Sequence, residues 1–329
     1  MPTTVTASRF NAIKTRIQSV LGASTTVSPT FGYGQTVNTP TVVGNYNTNT
    51  SSTSKIDDQQ YRNLYIDLAR ARIHQVGSSA FSQTPFVVGD FETNTTNTDV
   101  VEEAYILGLE SLMTQIETDR FLIHESTQGS LETLKNSAGF SLQGSRLQSS
   151  SGTWNRTLSY IFTVTFADAT SRRNFFNAGG QIRISGNRVA TTSSNSKSLD
   201  WSSLFSSVGK VSFAANSVYS TNSFGSGSVY GNYDLISSYR TIYTGTSSVY
   251  SGNYFRVYAL ENSATEIQFR VYFADVHSEN IDEPIYGDFY VNVELLRPEG
   301  TATVNGVSTN TVTISTPPVG SAVTNLIQI

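Results

Sequence analysis

Phe10, Ile13, Ile17, Val20 and Leu21 recur at helical spacing and predict a helix over 7–21, with Thr6 at its N-cap and Gly22 just past its end. A second helix is expected from about Ile56 to Val76. There Tyr61, Leu64, Tyr65, Leu68 and Ala71 share a face, Ser54 and Asp57 form a capping pair, and Gly77 closes the far end. A third is expected from about Asp99 to Arg120, with Asp99, Glu102 and Glu103 at its positive end and Ile106, Leu109, Met113 and Ile116 in one stripe. Each stripe needs an apolar partner, which is either the core of a small helical domain or the surface of another subunit. In the second case Phe10, Ile13, Ile17, Tyr61, Leu64, Tyr65 and Leu68 are the subunit contacts.

From about residue 136 the period changes. The segments 159–166, 210–215, 254–260, 266–276 and 288–296 alternate, or run apolar, with β-branched and aromatic residues, and Gly/Ser/Asn clusters at 224–234 and 247–253 separate them as turns. A short helix from Ala167 to Ala178 is expected between the strand ending at Phe166 and one starting at Gln181. Phe175, Phe176, Gly179 and Gly180 then form a helix-to-strand joint. Its order is the reverse of the strand-glycine-helix order of a phosphate-binding loop. The tail alternates Val and Thr around Asn305-Gly306, a hairpin signal, and ends as an uncharged arm able to pair with a neighbour's sheet edge. The fold class is therefore α+β. A helical region over 1–135 precedes a mainly antiparallel β-sandwich over 136–298 and a C-terminal β arm over 299–329.

Charge narrows the partners. With 21 basic and 25 acidic residues and a net charge of -4, the chain has no cationic field for nucleic acid or a membrane surface, and its lysines stand singly at 14, 55, 135, 197 and 210. Only 14% of residues are charged, so Ser, Thr, Asn and Gly carry the solubility, as in extracellular or particle-surface proteins. No cysteine is present, which removes disulfides and thiolate chemistry. The start at Met1 lacks a secretory pattern, and no run of about 18 apolar residues could span a bilayer, so synthesis and folding in the cytosol are expected.

Candidate chemistry is sparse. His74 can complement the end of the second helix, while His124 lacks an acidic partner at metal-binding spacing. Asp275, His277, Glu279, Asp282 and Glu283 form an acidic cluster without the glycine-centred loop of a calcium site, which reads as a solvated loop, so no metal or other cofactor is expected. No nucleophile elbow, Walker loop or dinucleotide fingerprint occurs, and the chain is expected not to be an enzyme. Tyr219, Tyr230, Tyr233, Tyr239, Tyr243, Tyr250, Tyr254 and Tyr258 can form a sandwich core, pack on another protein or stack on sugars. For glycan contact the candidates are Tyr233 and Tyr250.

The stretch Arg173-Asn174-Phe175-Phe176-Asn177-Ala178-Gly179-Gly180-Gln181-Ile182-Arg183 resembles a segment of virion structural proteins of contractile-tailed bacteriophages, particularly cyanophages, with Gln181 where the segment commonly has Glu. The N-terminal "TASRFNAIKTRIQSVLG" and "YGQ", the later "LYIDLARARIHQVG" and "DWSSLFSSVGKVSF", and the closing strands are similar in order and spacing, so the resemblance spans most of the chain. It implies a particle component in the neck, baseplate, fibre or capsid surface. The implied partners are other virion proteins and further copies of the chain, with host surface glycan as an alternative ligand. No catalytic residue carries over.

Overall fold

The computed structural model describes residues 6–22, 32–41, 58–76, 103–123, 133–134, 140–143, 153–154, 157–190, 194–277, 284–296, 300–303, 311–314 and 321–328. The chain divides into two compact units: Met1–Glu132, Arg173–Gly179 and Pro298–Pro318 in one, and Thr133–Arg172, Gly180–Arg297 and Val319–Ile329 in the other. The architecture is α+β, with helices mostly N-terminal and two antiparallel sheets in the C-terminal part.

The first unit is built on α1 (Ala7–Leu21), α2 (Asp58–Val76) and α3 (Glu103–Thr118). The capping expected for α1 is present: Thr6 accepts a hydrogen bond from the Arg9 N–H, and the Gly22 N–H returns to the Gln18 carbonyl. The Ser54–Asp57 pair, Asp99 and Gly77 lie outside the described residues. Arg9 forks onto Glu110 at 2.8–2.9 Å, and Arg16 onto Glu117 at 2.6–3.0 Å. The two pairs advance together by one heptad on each helix, so α1 and α3 run parallel. Arg72 pairs with Asp119 and Gln75 donates to the Ile116 carbonyl, which brings the C-terminal ends of α2 and α3 together as well. Parallel neighbours need connections that recross the helix length, roughly 1.5 Å per helical residue.

The stripes meet in one core. Phe10, Ile13, Ile17, Tyr61, Leu64 and Leu68 are at most 1% exposed and Tyr65 9%, packed with Ile106, Leu109, Met113 and Ile116. Phe10 meets Tyr61 edge-on at 5.5 Å. This corrects the subunit-contact reading of these seven residues: their apolar surface is already covered by this chain, which leaves nothing for a second one to cover.

His74 also departs from expectation. It is buried, tilted beside the Tyr33 ring at 4.6 Å, and its Nε2 donates to the Ala178 carbonyl, while Nδ1 has no hydrogen-bond partner. Burial lowers its pKa from 6.5 to about 4, against the raising effect of that bond, so it is neutral and does not complement the helix end as a cation. Unfolded His binds a proton below about pH 6.5 and the folded form does not until about 4. The stability this burial permits is therefore complete above pH 6.5 and falls by about 1.4 kcal/mol per unit as the pH drops from 6.5 toward 4. Denaturation midpoints measured from pH 7 to 4.5 should show this slope, and His74→Gln should flatten it.

The second unit contains β1 (Thr133–Leu134), β2 (Phe140–Gln143), β3 (Thr153–Trp154), β4 (Thr157–Phe166), the start of α4 (Ala169–Asn177), β5 (Gln181–Val189), α5 (Ser196–Val208), β6 (Val211–Phe213), β7 (Val218–Ser220), β8 (Ser226–Gly227), β9 (Arg240–Thr246), β10 (Tyr254–Ser263), β11 (Glu266–Ala274), β12 (Ile285–Tyr286) and β13 (Asp288–Leu296). After these come β14 (Gly300–Thr303) and β15 (Thr311–Ile314), which pair with each other, and β16 (Ser321–Gln328). One sheet runs β1-β13-β5-β6-β7, with β2 also on β13, and the other runs β16-β4-β11-β10-β9-β8. Their inner faces close over aromatics: Phe213 meets Phe269 at 5.2 Å and Phe273 meets Phe289 at 5.7 Å. Trp201 and Phe205 of α5 add to the same cluster. Gly186 of β5 is required by this packing, because a Cβ there would lie 2.5 Å from the Phe205 ring.

The C-terminal boundary moves. The expected arm over 299–329 is divided: β14 and β15 belong to the helical unit, and β16 lies along the edge of β4, with Ser321 opposite Phe166 and Gln328 opposite Tyr160. A sheet edge with unpaired backbone groups accepts the first strand that reaches it, and here that strand is the chain's own. The Asn305-Gly306 turn lies outside the described residues. The helix α5 was not anticipated.

Candidate functional site

β10 alternates between half-buried and buried residues from Tyr254 to Leu260, and β11 from Glu266 to Phe273, as a strand with one core face must. The outward positions carry Tyr254, Arg256 and Tyr258 on β10 and Gln268, Arg270 and Tyr272 on β11. Register sets Arg256 opposite Tyr272 and Tyr258 opposite Arg270. A checkerboard of tyrosine and arginine results.

The guanidinium of Arg256 lies over the Tyr254 ring at 4.1 Å, and that of Arg270 over Tyr272 at 5.2 Å. Tyr254 and Tyr272 stack at 6.2 Å, while Tyr258 stands edge-on to Tyr272 at 6.5 Å and to Tyr239 at 6.4 Å. Arg256 is held further by Nε donating to Thr244 Oγ1 at 3.0 Å and Nη1 to the Tyr258 hydroxyl at 3.3 Å. The Tyr239 hydroxyl donates to Gln268 Oε1 at 2.7 Å. Between these side chains lies an open groove of about 290 Å³, lined by Tyr239, Tyr254, Tyr258, Arg270 and Tyr272. Partial burial pushes the Tyr239 and Tyr254 hydroxyls above their ordinary range, with Arg270 and Arg256 respectively opposing it, so both stay neutral.

Arg9, Arg16, Arg70, Arg72 and Arg172 each form an ion pair with a carboxylate, whereas Arg188 donates to the Tyr286 carbonyl and to the Ser194 and Ser202 hydroxyls and Arg240 lies over the Tyr230 ring. Arg256 and Arg270 have no carboxylate partner among the described residues, and Arg270 Nε is buried without a hydrogen-bond partner. The face thus presents two guanidiniums beside phenol hydroxyls.

The sequence candidates fall elsewhere. Tyr233 is 40% exposed on the short 3-10 turn Asn232–Asp234, and Tyr250 is half-buried, edge-on to His277 at 5.4 Å. Neither lines the groove. Tyr243 is buried, its hydroxyl donating to the Phe224 carbonyl. Of the eight tyrosines singled out, Tyr239, Tyr254 and Tyr258 belong to the face. Tyr272 and both arginines were missed, although the alternation in "YFRVY" and "FRVYF" carried the signal.

Phe175, Phe176, Gly179 and Gly180 are all buried. The chain leaves the sheet unit between Arg172 and Arg173, within α4, and returns at Gly180. Gly179 has φ +83°, and a Cβ there would approach the Phe121 carbonyl oxygen and Ile123 to 2.9 Å, so glycine is required. The joint is a chain crossing between units.

The acidic cluster is also changed. Asp275 is not solvated: it is buried at the end of β11, with Oδ2 2.8 Å from Nζ of the equally buried Lys197. His277 Nδ1 donates to the Ser251 carbonyl. Glu279, Asp282, Glu283 and His124 lie outside the described residues, among which no group of three or more metal-ligating side chains occurs, and no helix is long and apolar enough to cross a membrane. No protein-family model, curated protein or solved structure matches the chain.

Proposed function

We propose that the chain is a bacteriophage virion structural protein without enzymatic activity, a tail, neck or baseplate-associated component that assembles through subunit contacts. The resemblance around Phe175, Phe176, Gly179 and Gly180 supports this reading. The observation that carries it is an exposed apolar tip on the sandwich. Val249, 71% exposed, lies in the turn between β9 and β10, and Val276, 53% exposed, follows β11. Asn253 Oδ1 accepts the backbone N–H groups of Val276 and His277 at 2.9 Å and so ties the two segments together. Rigidly held apolar side chains in water lower their free energy when another subunit covers them.

Light scattering and particle reconstitution test this. The purified chain should form oligomers or enter particles, and Val249→Asp with Val276→Asp should abolish both while leaving the circular dichroism spectrum unchanged. A compact monomer that never joins a particle overturns the reading. The alternative, a host-recognition adhesin domain, draws on the tyrosine and arginine face rather than on Tyr233 and Tyr250.

A further inference from the structure

We propose that the groove between Tyr239, Tyr254, Tyr258 and Tyr272 holds a carboxylate-bearing saccharide, a uronic-acid unit of a polymer, with Arg270 in its wall receiving the carboxylate and Arg256, over the Tyr254 ring at its border, adding a second positive charge. The inference rests on the reading of the sandwich as an outward-facing part of a particle, and it assigns a ligand class to one face of it.

Charge points to an anion. On a chain with net charge -4, two arginines occupy diagonal positions on one sheet face, with no carboxylate partner among the described residues. Stacking on Tyr254 and Tyr272 fixes their planes, so little side-chain freedom is lost when a ligand docks. A guanidinium fork matches the two oxygens of a carboxylate.

Ring coverage argues against nucleic acid. Bases stack on bare aromatic faces, whereas here Tyr254 and Tyr272 face each other and carry the arginines. What remains available are ring edges, phenol hydroxyls and guanidinium edges, a set suited to sugar hydroxyls and C–H groups. The groove, about 290 Å³, lies at the small end of ligand pockets and suits a short stretch of a polymer better than a folded partner.

Titration calorimetry on the full-length protein with glucuronate and guluronate oligomers, a neutral glucan, a sulfated galactan and a single-stranded DNA oligomer tests the assignment. The uronates should bind, with the neutral glucan weaker by about tenfold or more, the scale of one lost charge-assisted hydrogen bond. Arg256→Gln and Arg270→Gln should each weaken uronate binding by about tenfold or more, and Tyr233→Ala should not change it. The unsubstituted protein should lose affinity between low and physiological salt, a readout that needs no variant. Equal binding of the neutral glucan, salt-independent binding, preference for the sulfated galactan, or DNA binding lost in the same variants would each overturn the proposal. Self-association abolished by Arg256→Gln or Arg270→Gln would overturn it in favour of a second copy. If no saccharide binds while the Val249→Asp and Val276→Asp pair still blocks assembly, this site is wrong and the virion reading stands.

Discussion

Lys197→Met is expected to destabilise the sheet unit by about 3–5 kcal/mol, the cost of leaving a buried charge without its partner. Lys197 and Asp275 expose 0% and 1% of their side chains. Lys197 lies in the first turn of α5, behind the Asn195 cap that accepts from Ser198. A cation there faces the positive end of the helix dipole, which makes the carboxylate 2.8 Å away its main compensation. Met fills a similar volume, so little of the loss would come from packing. The companion prediction separates charge from shape. Lys197→Met combined with Asp275→Leu removes both ions and should recover about 2 kcal/mol or more of the single variant's loss, because an apolar pair in such a site is often as stable as the ionic one. Urea denaturation of the two singles and the double variant, analysed as a double-mutant cycle, measures the coupling. Additive losses would show that the pair contributes nothing beyond its separate packing.

Local signals were legible where they are self-contained. Thr6, Gly22 and the stripe from Phe10 to Leu21 define α1 to the residue because cap, face and stop all lie within one short segment. The strands β4, β10, β11 and β13 were read from alternation for the same reason. α5 escaped although Trp201, Leu204, Phe205 and Val208 recur at helical spacing between Asn195 and Gly209. Its Ser-rich composition has weak helix propensity, and burial of those four residues supplies what propensity does not. The tyrosine and arginine face depends on register: each strand shows its own Tyr and Arg, but only the pairing of Tyr258 with Arg270 and of Arg256 with Tyr272 makes one surface of them. Lys197 and Asp275 are remote in sequence, and nothing near either one announces the other. The seven helical residues read as subunit contacts illustrate the converse limit. A stripe shows that a face will be covered, while the identity of the cover is a property of the whole chain.

Asp67→Ala should cost the helical unit about 3–5 kcal/mol, and so lower its melting temperature by on the order of 10 °C. Asp67 is fully buried on α2, yet it faces the segment after α1 and not the core. Its Oδ2 accepts the backbone N–H groups of Asn38 and Thr39 at 2.9 and 2.8 Å and the Thr39 hydroxyl at 2.6 Å. Arg70 Nη1 reaches Oδ1 at 3.3 Å and also donates to the Thr36 carbonyl at 2.7 Å. One carboxylate therefore replaces the water of two main-chain amides, a hydroxyl and a guanidinium, and Ala would leave all four without it in a space too closed for easy hydration. Asp67→Asn keeps the volume but turns one acceptor into a donor facing donors, so an intermediate loss is expected. Hydrogen exchange distinguishes this anchor from general packing: in Asp67→Ala the amides of Asn38 and Thr39 should lose protection before those of α1, whereas simultaneous loss across the unit would mean that Asp67 supports the core and not the strap laid over α2.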